Sequence, residues 1–175
     1  MSQPDTELRI GHLRNLGTAL LGSIGQVLGA QSCGPSVTAG FIAEPFALPR
    51  DYDRSRPGFL FALISPTSII APEGNVRLDT TVTVATPPLT ITNPFFHTLV
   101  PIEADPVANR TIEVPLLSPT GDPALPASSL PSNSWIGLRI ARNGPAAEDT
   151  WTGTILLAQG LLLRYNRLCQ FCTCL

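Results

Sequence analysis

The feature that most constrains the fold is the strict alternation of apolar and polar residues in NVRLDTTVTVA, residues 75–85. From Val76 to Val84 the even-numbered residues are Val, Leu, Thr, Val and Val, whereas the odd-numbered ones are Arg, Asp, Thr and Thr. A period of two is typical of a β-strand with one buried face. WIGLRIAR, residues 135–142, repeats the pattern, with apolar residues at 136, 138 and 140 and Arg139 on the other face. Such strands need a second layer to cover them, so the pattern predicts a layered β-protein.

Short segments rich in Thr, Val, Ile and Phe, separated by Pro, Gly, Asn and Asp, continue to the end of the chain. We predict strands over Thr38–Ala47, Gly58–Ile64, Ser68–Ala71, Val76–Ala85, Leu89–Asn93, Phe95–Ile102, Thr111–Leu117, Ser134–Arg142 and Thr150–Arg167. No helix-length amphipathic pattern separates them, which argues against a parallel βαβ sheet. The sequence therefore predicts a mainly β fold, an antiparallel β-sandwich of the jelly-roll kind, over residues 37–175.

Residues 1–36 differ in kind, and they predict an N-terminal amphipathic helix from Asp5 to about Ala30 that serves as an anchor. At 100° per residue its large apolar side chains share one arc, opposite glycine, asparagine, threonine and glutamine. The expected interface residues on this arc are Leu13, Leu16, Leu20, Ile24, Val27 and Leu28. Glycines interrupt the apolar run, which is shorter than a ~20-residue membrane span, so we predict neither a signal peptide nor a membrane segment. Each glycine lowers helix stability by about 1 kcal/mol relative to alanine, so this helix needs packing partners.

Composition favours a protein that associates with other protein subunits. Hydrophobic residues make up 43% of the chain and charged residues only 14%, against a usual charged share of about 25%. A chain with this balance often buries apolar surface against partners. The net charge of −2 gives no electrostatic reason to expect nucleic acid as a partner.

Three of the four cysteines lie in the last seven residues as C-x2-C-x-C, namely Cys169, Cys172 and Cys174, and the fourth is Cys33. Zinc sites made of cysteines usually show two separated C-x2-C knuckles, and the second knuckle is missing here. The remaining interpretations are buried thiols and disulfide bonds, within one chain or between chains. We therefore predict no metal and keep all four cysteines as candidates for disulfide bonds.

Recognised catalytic signatures do not occur in this sequence: there is no G-x-S-x-G, no phosphate-binding loop, no dinucleotide fingerprint and no H-E-x-x-H. His12 and His97 lie on different predicted elements, where isolated histidines are usually packed or exposed rather than catalytic. We predict that the protein is not an enzyme and has no cofactor.

The segment WIGLRIARNGPAAEDTWTGTILLAQGLLLRY resembles the closing hairpin of jelly-roll virion proteins of tailed bacteriophages. The matching residues are Arg142, Gly144, Asp149, Thr150, Trp151, Gly153, Leu156, Leu157 and Tyr165. The resemblance covers about the last 40 residues. It implies a structural virion protein, either a capsid decoration (cement) protein or a head or neck component.

The residues of this hairpin also suggest local contacts of their own. Arg142 and Asp149 flank a tight connection, so we expect them to pair at its base, with Trp151 on the following strand. Asp149 can also accept hydrogen bonds from the backbone amides that follow it. Because the arginine is expected to supply only a surface charge, we predict that Asp149→Ala destabilises more than Arg142→Ala. Gly160 is expected to bend the last strand, so that one half lies in the core and the other passes beneath the N-terminal helix or a neighbour.

The leading hypothesis is a non-enzymatic phage structural protein that forms trimers or higher assemblies and contacts other virion proteins, such as the major capsid protein. It acts in the virion without binding nucleic acid or membrane. One alternative is a subunit of an extracellular or spore-surface filament crosslinked by its cysteines. A second alternative is a carbohydrate-binding adhesin domain, which needs an exposed aromatic side chain. The candidates for that side chain are Trp135, Trp151 and Tyr52.

Overall fold

The computed structural model describes residues 6–10, 13–16, 21–24, 28–67, 72–86, 90–92, 95–104, 110–117, 121 and 134–168. The strands of this part of the chain are β1 (Thr6–Ile10), β2 (Leu13–Leu16), β3 (Leu21–Ile24), β4 (Leu28–Cys33), β5 (Thr38–Ala47), β6 (Phe59–Pro66), β7 (Gly74–Thr86), β8 (Thr90–Thr92), β9 (Phe95–Ile102), β10 (Ile112–Pro115), β11 (Trp135–Asn143) and β12 (Ile155–Tyr165). None of the described residues lies in a helix, and none therefore belongs to a helix able to span a membrane.

These strands form two antiparallel six-stranded sheets. Sheet A has the order β10-β6-β12-β4-β3, with β1 also paired to β12. Sheet B has the order β2-β5-β11-β7-β8, with β9 also paired to β7. β8 and β9 pair with β7 in one continuous register, as the partners Thr86↔Thr90 and Thr81↔Phe95 show.

From β4 onward the chain alternates between the two sheets. β4, β6, β10 and β12 lie in sheet A, whereas β5, β7, β9 and β11 lie in sheet B. In each sheet the last of the four strands returns to lie between the first two, giving β4-β12-β6-β10 and β5-β11-β7-β9. This double Greek-key order is that of a jelly roll. The predicted antiparallel β-sandwich is therefore confirmed.

The predicted N-terminal helix is wrong. Thr6–Ile10 pairs with β12, Leu13–Leu16 pairs with β5, and Leu21–Ile24 pairs with Leu28–Cys33. In residues 1–36 leucine and isoleucine recur at spacings that fit both the helical period of 3.6 residues and the strand period of two. The glycines weaken a helix. Each of these segments instead adds to a strand edge, on β12, β5 or β4, where its backbone pairs between strands. Long-range pairing thus overrides the local pattern.

Strand β12 consists of two differently paired halves. Its first half, residues 155–158, pairs with β4, and its second half, residues 161–165, pairs with β1. On its other side, the register with β6 shifts between Leu157 and Leu161. Gly160 lies in this irregular stretch, where a bend was expected. The N-terminal segment does meet the second half of β12, but it does so as a strand in the same sheet.

The core lies between the inner faces of the two sheets. On β7 the residues Val76, Leu78, Thr80 and Val82 are buried, and on β11 Ile136, Leu138 and Ile140 are buried. Sheet A contributes the inward-pointing apolar side chains of β6 and β12, including Leu60, Ile64, Ile155, Leu157 and Leu163. The alternation read from the sequence therefore predicted correctly which face of these strands is buried.

Candidate functional site

The connection between β11 and β12 closes one end of the sandwich around a buried ion pair. Arg142 Nη2 lies 2.6 Å from Asp149 Oδ1, and both side chains are 0% exposed. Arg142 Nε also donates to Asp149 Oδ2 at 2.9 Å, so the contact is bidentate. A fork-on-carboxylate contact of this kind fixes geometry as well as charge.

The remaining donors of Arg142 bind backbone carbonyl oxygens. Nη1 donates to Cys33 O at 3.1 Å and to Gly153 O at 2.6 Å, and Nη2 donates to Trp151 O at 2.5 Å. All five N–H groups of the guanidinium therefore have acceptors. The cation also lies 5.7 Å from the centroid of the Trp151 ring. This arrangement joins β4, β11 and the 144–154 connection at one point.

The structure places Arg142 and Asp149 together, but it differs from the sequence-based expectation in three respects. Arg142 is buried rather than a surface charge. Asp149 Oδ2 accepts from the backbone N–H of Arg77 on β7 at 3.0 Å, rather than from amides that follow Asp149. Trp151 precedes β12 and is fully buried. The indole packs on Gly153, where a Cβ atom would lie 2.5 Å from the ring. This end of the sandwich is built for stability.

Cys33 is buried beneath Arg142, and its Sγ donates a hydrogen bond to Ala39 O at 3.4 Å. Burial raises the pKa of the Cys33 thiol to about 12, and the charge of Arg142 offsets this only in part. Such a thiol is unreactive at neutral pH. Cys169, Cys172 and Cys174 lie outside the described residues. Within the described ranges, no three His, Cys, Asp or Glu side chains are grouped as ligands for a metal ion.

The predicted interface residues no longer share one helical face. Leu13 and Leu16 lie on β2 in sheet B, whereas Ile24 and Leu28 lie on β3 and β4 in sheet A. Leu20 and Val27 lie outside the described residues. A single helical anchor surface built from these six residues is therefore not part of the fold.

Of the three aromatic candidates for ligand contact, only Trp135 is exposed. Trp151 and Tyr52 are 0% and 2% exposed, whereas Trp135 is 51% exposed. Tyr52 packs against Tyr165, with ring centroids 5.5 Å apart, and burial raises the pKa of Tyr52 to about 12. Trp135 begins β11 on the face that points away from the core, opposite Ala47 on β5 and Ala85 on β7.

We call the outward side of sheet B the sheet B face. Along β11 it presents Trp135, Gly137 and Arg139, and across β11 it adds Ile42 of β5 and Thr81 of β7. Ile42, Leu99 and Trp135, all on strands of sheet B, are among the large hydrophobic side chains that remain exposed. Sequence analysis missed Ile42 and Leu99, although each is an apolar residue in the outward phase of its strand.

The far end of the sheet B face is occupied by a polar network. Arg77 Nε donates to Asp79 Oδ1 at 2.8 Å, and Arg77 Nη1 donates to Glu148 Oε2 at 2.9 Å. Asn143 Nδ2 donates to Asp79 Oδ2 at 2.7 Å. These hydrogen bonds, first that to Asp79, raise the pKa of Arg77 above its ordinary value. The polar side chains at this end of the face bind one another, whereas Trp135 at the other end is exposed to solvent.

The outward side of sheet A carries a groove of about 290 Å³ beside the irregular stretch of β12, lined by Glu7, Leu63, Glu113, Ala158, Gly160, Leu161, Leu162 and Arg164. Arg164 Nε donates to Glu7 Oε1 at 2.6 Å, and its Nη2 donates to Glu113 Oε2 at 2.7 Å. Its guanidinium lies 4.4 Å from the centroid of the Phe61 ring. Arg164 therefore links β1, β12 and β10 across the surface of sheet A.

No protein-family model matches the sequence, and no curated protein shows significant similarity to it. Among solved structures, the chain is similar to the CBM22-1–GH10 modules of xylanase 10B from Clostridium thermocellum, with 11% identity and a TM-score of 0.48. That match covers 99% of this chain and 30% of the xylanase chain, so the chain spans less than a third of that protein.

Two further similarities cover most of both chains. The family 11 carbohydrate-binding module of Clostridium thermocellum is 12% identical with a TM-score of 0.40, and the match covers 93% of this chain and 90% of the module. A chain of Desmodium yellow mottle tymovirus is 15% identical with a TM-score of 0.26, and the match covers 99% of this chain and 94% of the viral one. At these values the similarities carry no conclusion about function.

Proposed function

We propose that this chain is a non-enzymatic structural protein of a virion, a capsid decoration (cement) protein or a head or neck component, which acts by associating with other subunits. The observation that carries the proposal is the sheet B face, on which Ile42, Leu99 and Trp135 remain exposed in an otherwise closed jelly roll. Large apolar side chains exposed on one face are typical of a contact surface between proteins.

The arrangement of charges supports the same proposal. Three arginines form ion pairs within the chain: Arg142 with Asp149, Arg77 with Glu148, and Arg164 with Glu7. Association would then depend mainly on the burial of apolar area, as the low charge content of the sequence also suggests. Expected partners are further copies, in trimers or larger assemblies, and a neighbouring virion protein such as the major capsid protein.

The alternative of a cysteine-crosslinked filament depends on Cys169, Cys172 and Cys174, because the fourth cysteine, Cys33, is buried under Arg142. Electrophoresis of the native assembly without reductant distinguishes the two proposals. A ladder of covalent oligomers that collapses with reductant supports the filament. A single monomer band from an intact assembly supports non-covalent association.

The association proposal is tested with Ile42→Asp and Leu99→Asp, each of which puts a carboxylate on the sheet B face. Val37→Asp is the matched control, because Val37 is as exposed as the other two but lies before β5, outside the strands of sheet B. Sedimentation velocity and co-sedimentation with particles that lack the protein measure association. We expect both face variants to dissociate while Val37→Asp behaves as wild type. Normal assembly by both face variants would contradict the proposal.

A further inference from the structure

Gly137 lies in the middle of β11, between Trp135 and Arg139 on the sheet B face, and its surroundings do not explain why it is glycine. A Cβ atom at Gly137 would lie 3.5 Å from Thr83 Cβ, an ordinary contact distance. By contrast, Cβ atoms at Gly40, Gly144 and Gly153 would lie 2.0, 2.4 and 2.5 Å from neighbouring atoms. Packing therefore requires glycine at those positions, whereas a side chain would fit at Gly137.

The β-bulge next to Gly137 does not account for the glycine either. The register between β11 and β5 shifts between Ile136 and Leu138, and the extra residue belongs to β5. On its other side β11 keeps a regular register, with Gly137 directly opposite Thr83 of β7. Glycine within a strand weakens the strand, and it often marks a place where a ligand approaches the backbone closely.

The neighbours of Gly137 form a shallow shelf beside the exposed indole of Trp135. Ala47 and Ala85 flank Trp135 on the adjacent strands, so its cross-strand neighbours among the described residues have small side chains. Thr83 lies beside Gly137, and Thr81 lies beside Arg139. Arg139 is exposed, and no residue within the described ranges forms an ion pair or hydrogen bond with its guanidinium. We call Trp135, Gly137, Arg139, Thr81 and Thr83 the Trp135 platform.

We propose that the Trp135 platform binds a neutral oligosaccharide. One face of a pyranose ring carries C–H groups that pack on the flat indole, and the open floor at Gly137 lets the sugar lie close to the sheet. The ring hydroxyls reach Thr81, Thr83 and Arg139, which lie within ~14 Å of Trp135 along the strand, since two residues span ~7 Å. The platform thus places threonine hydroxyls and a guanidinium beside an aromatic ring. Such a surface suits a ligand that has both apolar C–H faces and polar hydroxyls.

The proposed association uses the same face, and Ile42 and Leu99 test it, whereas the saccharide inference is carried by Gly137 and the indole of Trp135. A protein contact at Trp135 is the rival occupant. A protein hot spot is usually surrounded by a ring of packed side chains that exclude water. The neighbours Ala47, Ala85 and Gly137 provide no such ring, which favours a flat, well-hydrated ligand.

The experiment uses the full chain with a glycan array, followed by isothermal titration calorimetry with cellohexaose, maltohexaose, chitohexaose and the array's strongest ligand. We expect Trp135→Ala to weaken binding about tenfold or more. Gly137→Ala should weaken it severalfold while leaving the melting temperature unchanged or raised. Leu99→Ala, on the same face but outside the platform, should bind as wild type does.

Two readouts separate this inference from the association proposal. Sedimentation without sugar reports association alone, and the calorimetric titration reports sugar binding alone. The saccharide inference is overturned if no glycan binds, if Gly137→Ala folds and binds as tightly as wild type, or if Leu99→Ala loses as much binding as Trp135→Ala. If Gly137→Ala fails to fold, then glycine serves the fold and the exposed-residue variant Trp135→Ala decides.

Discussion

Truncation of Arg142 to alanine tests whether the stability of the 144–154 connection depends on a buried arginine. The change leaves the Asp149 carboxylate buried without its cation and removes the donors from the carbonyl oxygens of Cys33, Trp151 and Gly153. Breaking a buried ion pair costs about 3–5 kcal/mol, because the remaining charge is left uncompensated. Each buried carbonyl oxygen left without a donor adds up to ~1–3 kcal/mol where water cannot enter.

Asp149→Ala is expected to cost less than Arg142→Ala. It leaves a buried cation, but three carbonyl oxygens still accept from the guanidinium, and the N–H of Arg77 loses its acceptor. We therefore expect about 3 kcal/mol for Asp149→Ala and about 4 kcal/mol or more for Arg142→Ala. This order reverses the one that a surface arginine would give. With total stabilities of about 5–15 kcal/mol for a domain, Arg142→Ala approaches the limit of folding.

Urea unfolding at neutral pH, followed by circular dichroism, gives the change in free energy from the midpoint and the slope. Arg164→Ala is the control, because its ion pairs to Glu7 and Glu113 are partly exposed and pairs of this kind contribute only about 0–1 kcal/mol. A loss below ~1 kcal/mol for Arg142→Ala, equal to that of the control, would refute the reasoning, since it would mean that the pair is hydrated in solution.

Three further predictions concern individual side chains. Cys33 should resist alkylation at pH 8 in the folded protein and react in urea, as peptide mapping by mass spectrometry will show, because its pKa is about 12. Iodide should quench the fluorescence of Trp135 but not of Trp151, so Trp135→Phe should abolish the quenchable fraction. Burial raises the pKa of Tyr52 to about 12, and it also raises the pKa of Tyr165. Between pH ~10 and ~12 the folded chain then holds more protons than the unfolded one, so stability should fall as pH rises, measured by urea midpoints.

Much of the sandwich could be predicted from the sequence because its strands alternate. The predicted segments Thr38–Ala47 and Phe95–Ile102 coincide with β5 and β9, and Val76–Ala85 falls within β7. On β7 one face lies in the core and one in water, so the period of two is expressed directly in residue type. β5 and β9 were instead predicted from their β-branched and aromatic residues between turn residues. The predicted strand Ser68–Ala71 lies outside the described residues.

The N-terminal segment was predicted wrongly because its residue pattern does not distinguish a helix from short strands. Leucine and isoleucine separated by glycine satisfy a helical arc, but the same residues fit short strands of four to six residues. What decides between them is the presence of open edges on β12, β5 and β4. The edges of β5 and β12 are formed by residues beyond 36, those of β12 far along the chain, so a local reading of residues 1–36 does not reveal them.

The burial of Arg142 also depends on distant parts of the chain. Its proximity to Asp149 follows from a short connection, but Cys33 O, one of its acceptors, is 109 residues away in sequence. Trp135 is a different case, because it shares its phase with Arg139 in WIGLRIAR, and that phase points outward. Its exposure could therefore have been predicted from the strand alone, whereas the burial of Trp151, outside any strand, could not.

Strand β11 links the buried ion pair to the proposed binding platform through a single register. Ile136, Leu138 and Ile140 face the core, and Arg142 follows in the same phase. A charged residue in the inward phase is tolerated only where all its donors meet acceptors, which fixes this end of β11 against β4 and the closing loop. A slip of one residue would turn Trp135 into the core and leave Arg142 without its acceptors. The buried side chains of Ile136, Leu138 and Ile140 hold the same register, so variants of Arg142 that remain folded should still present Trp135 to solvent and bind sugar as wild type does.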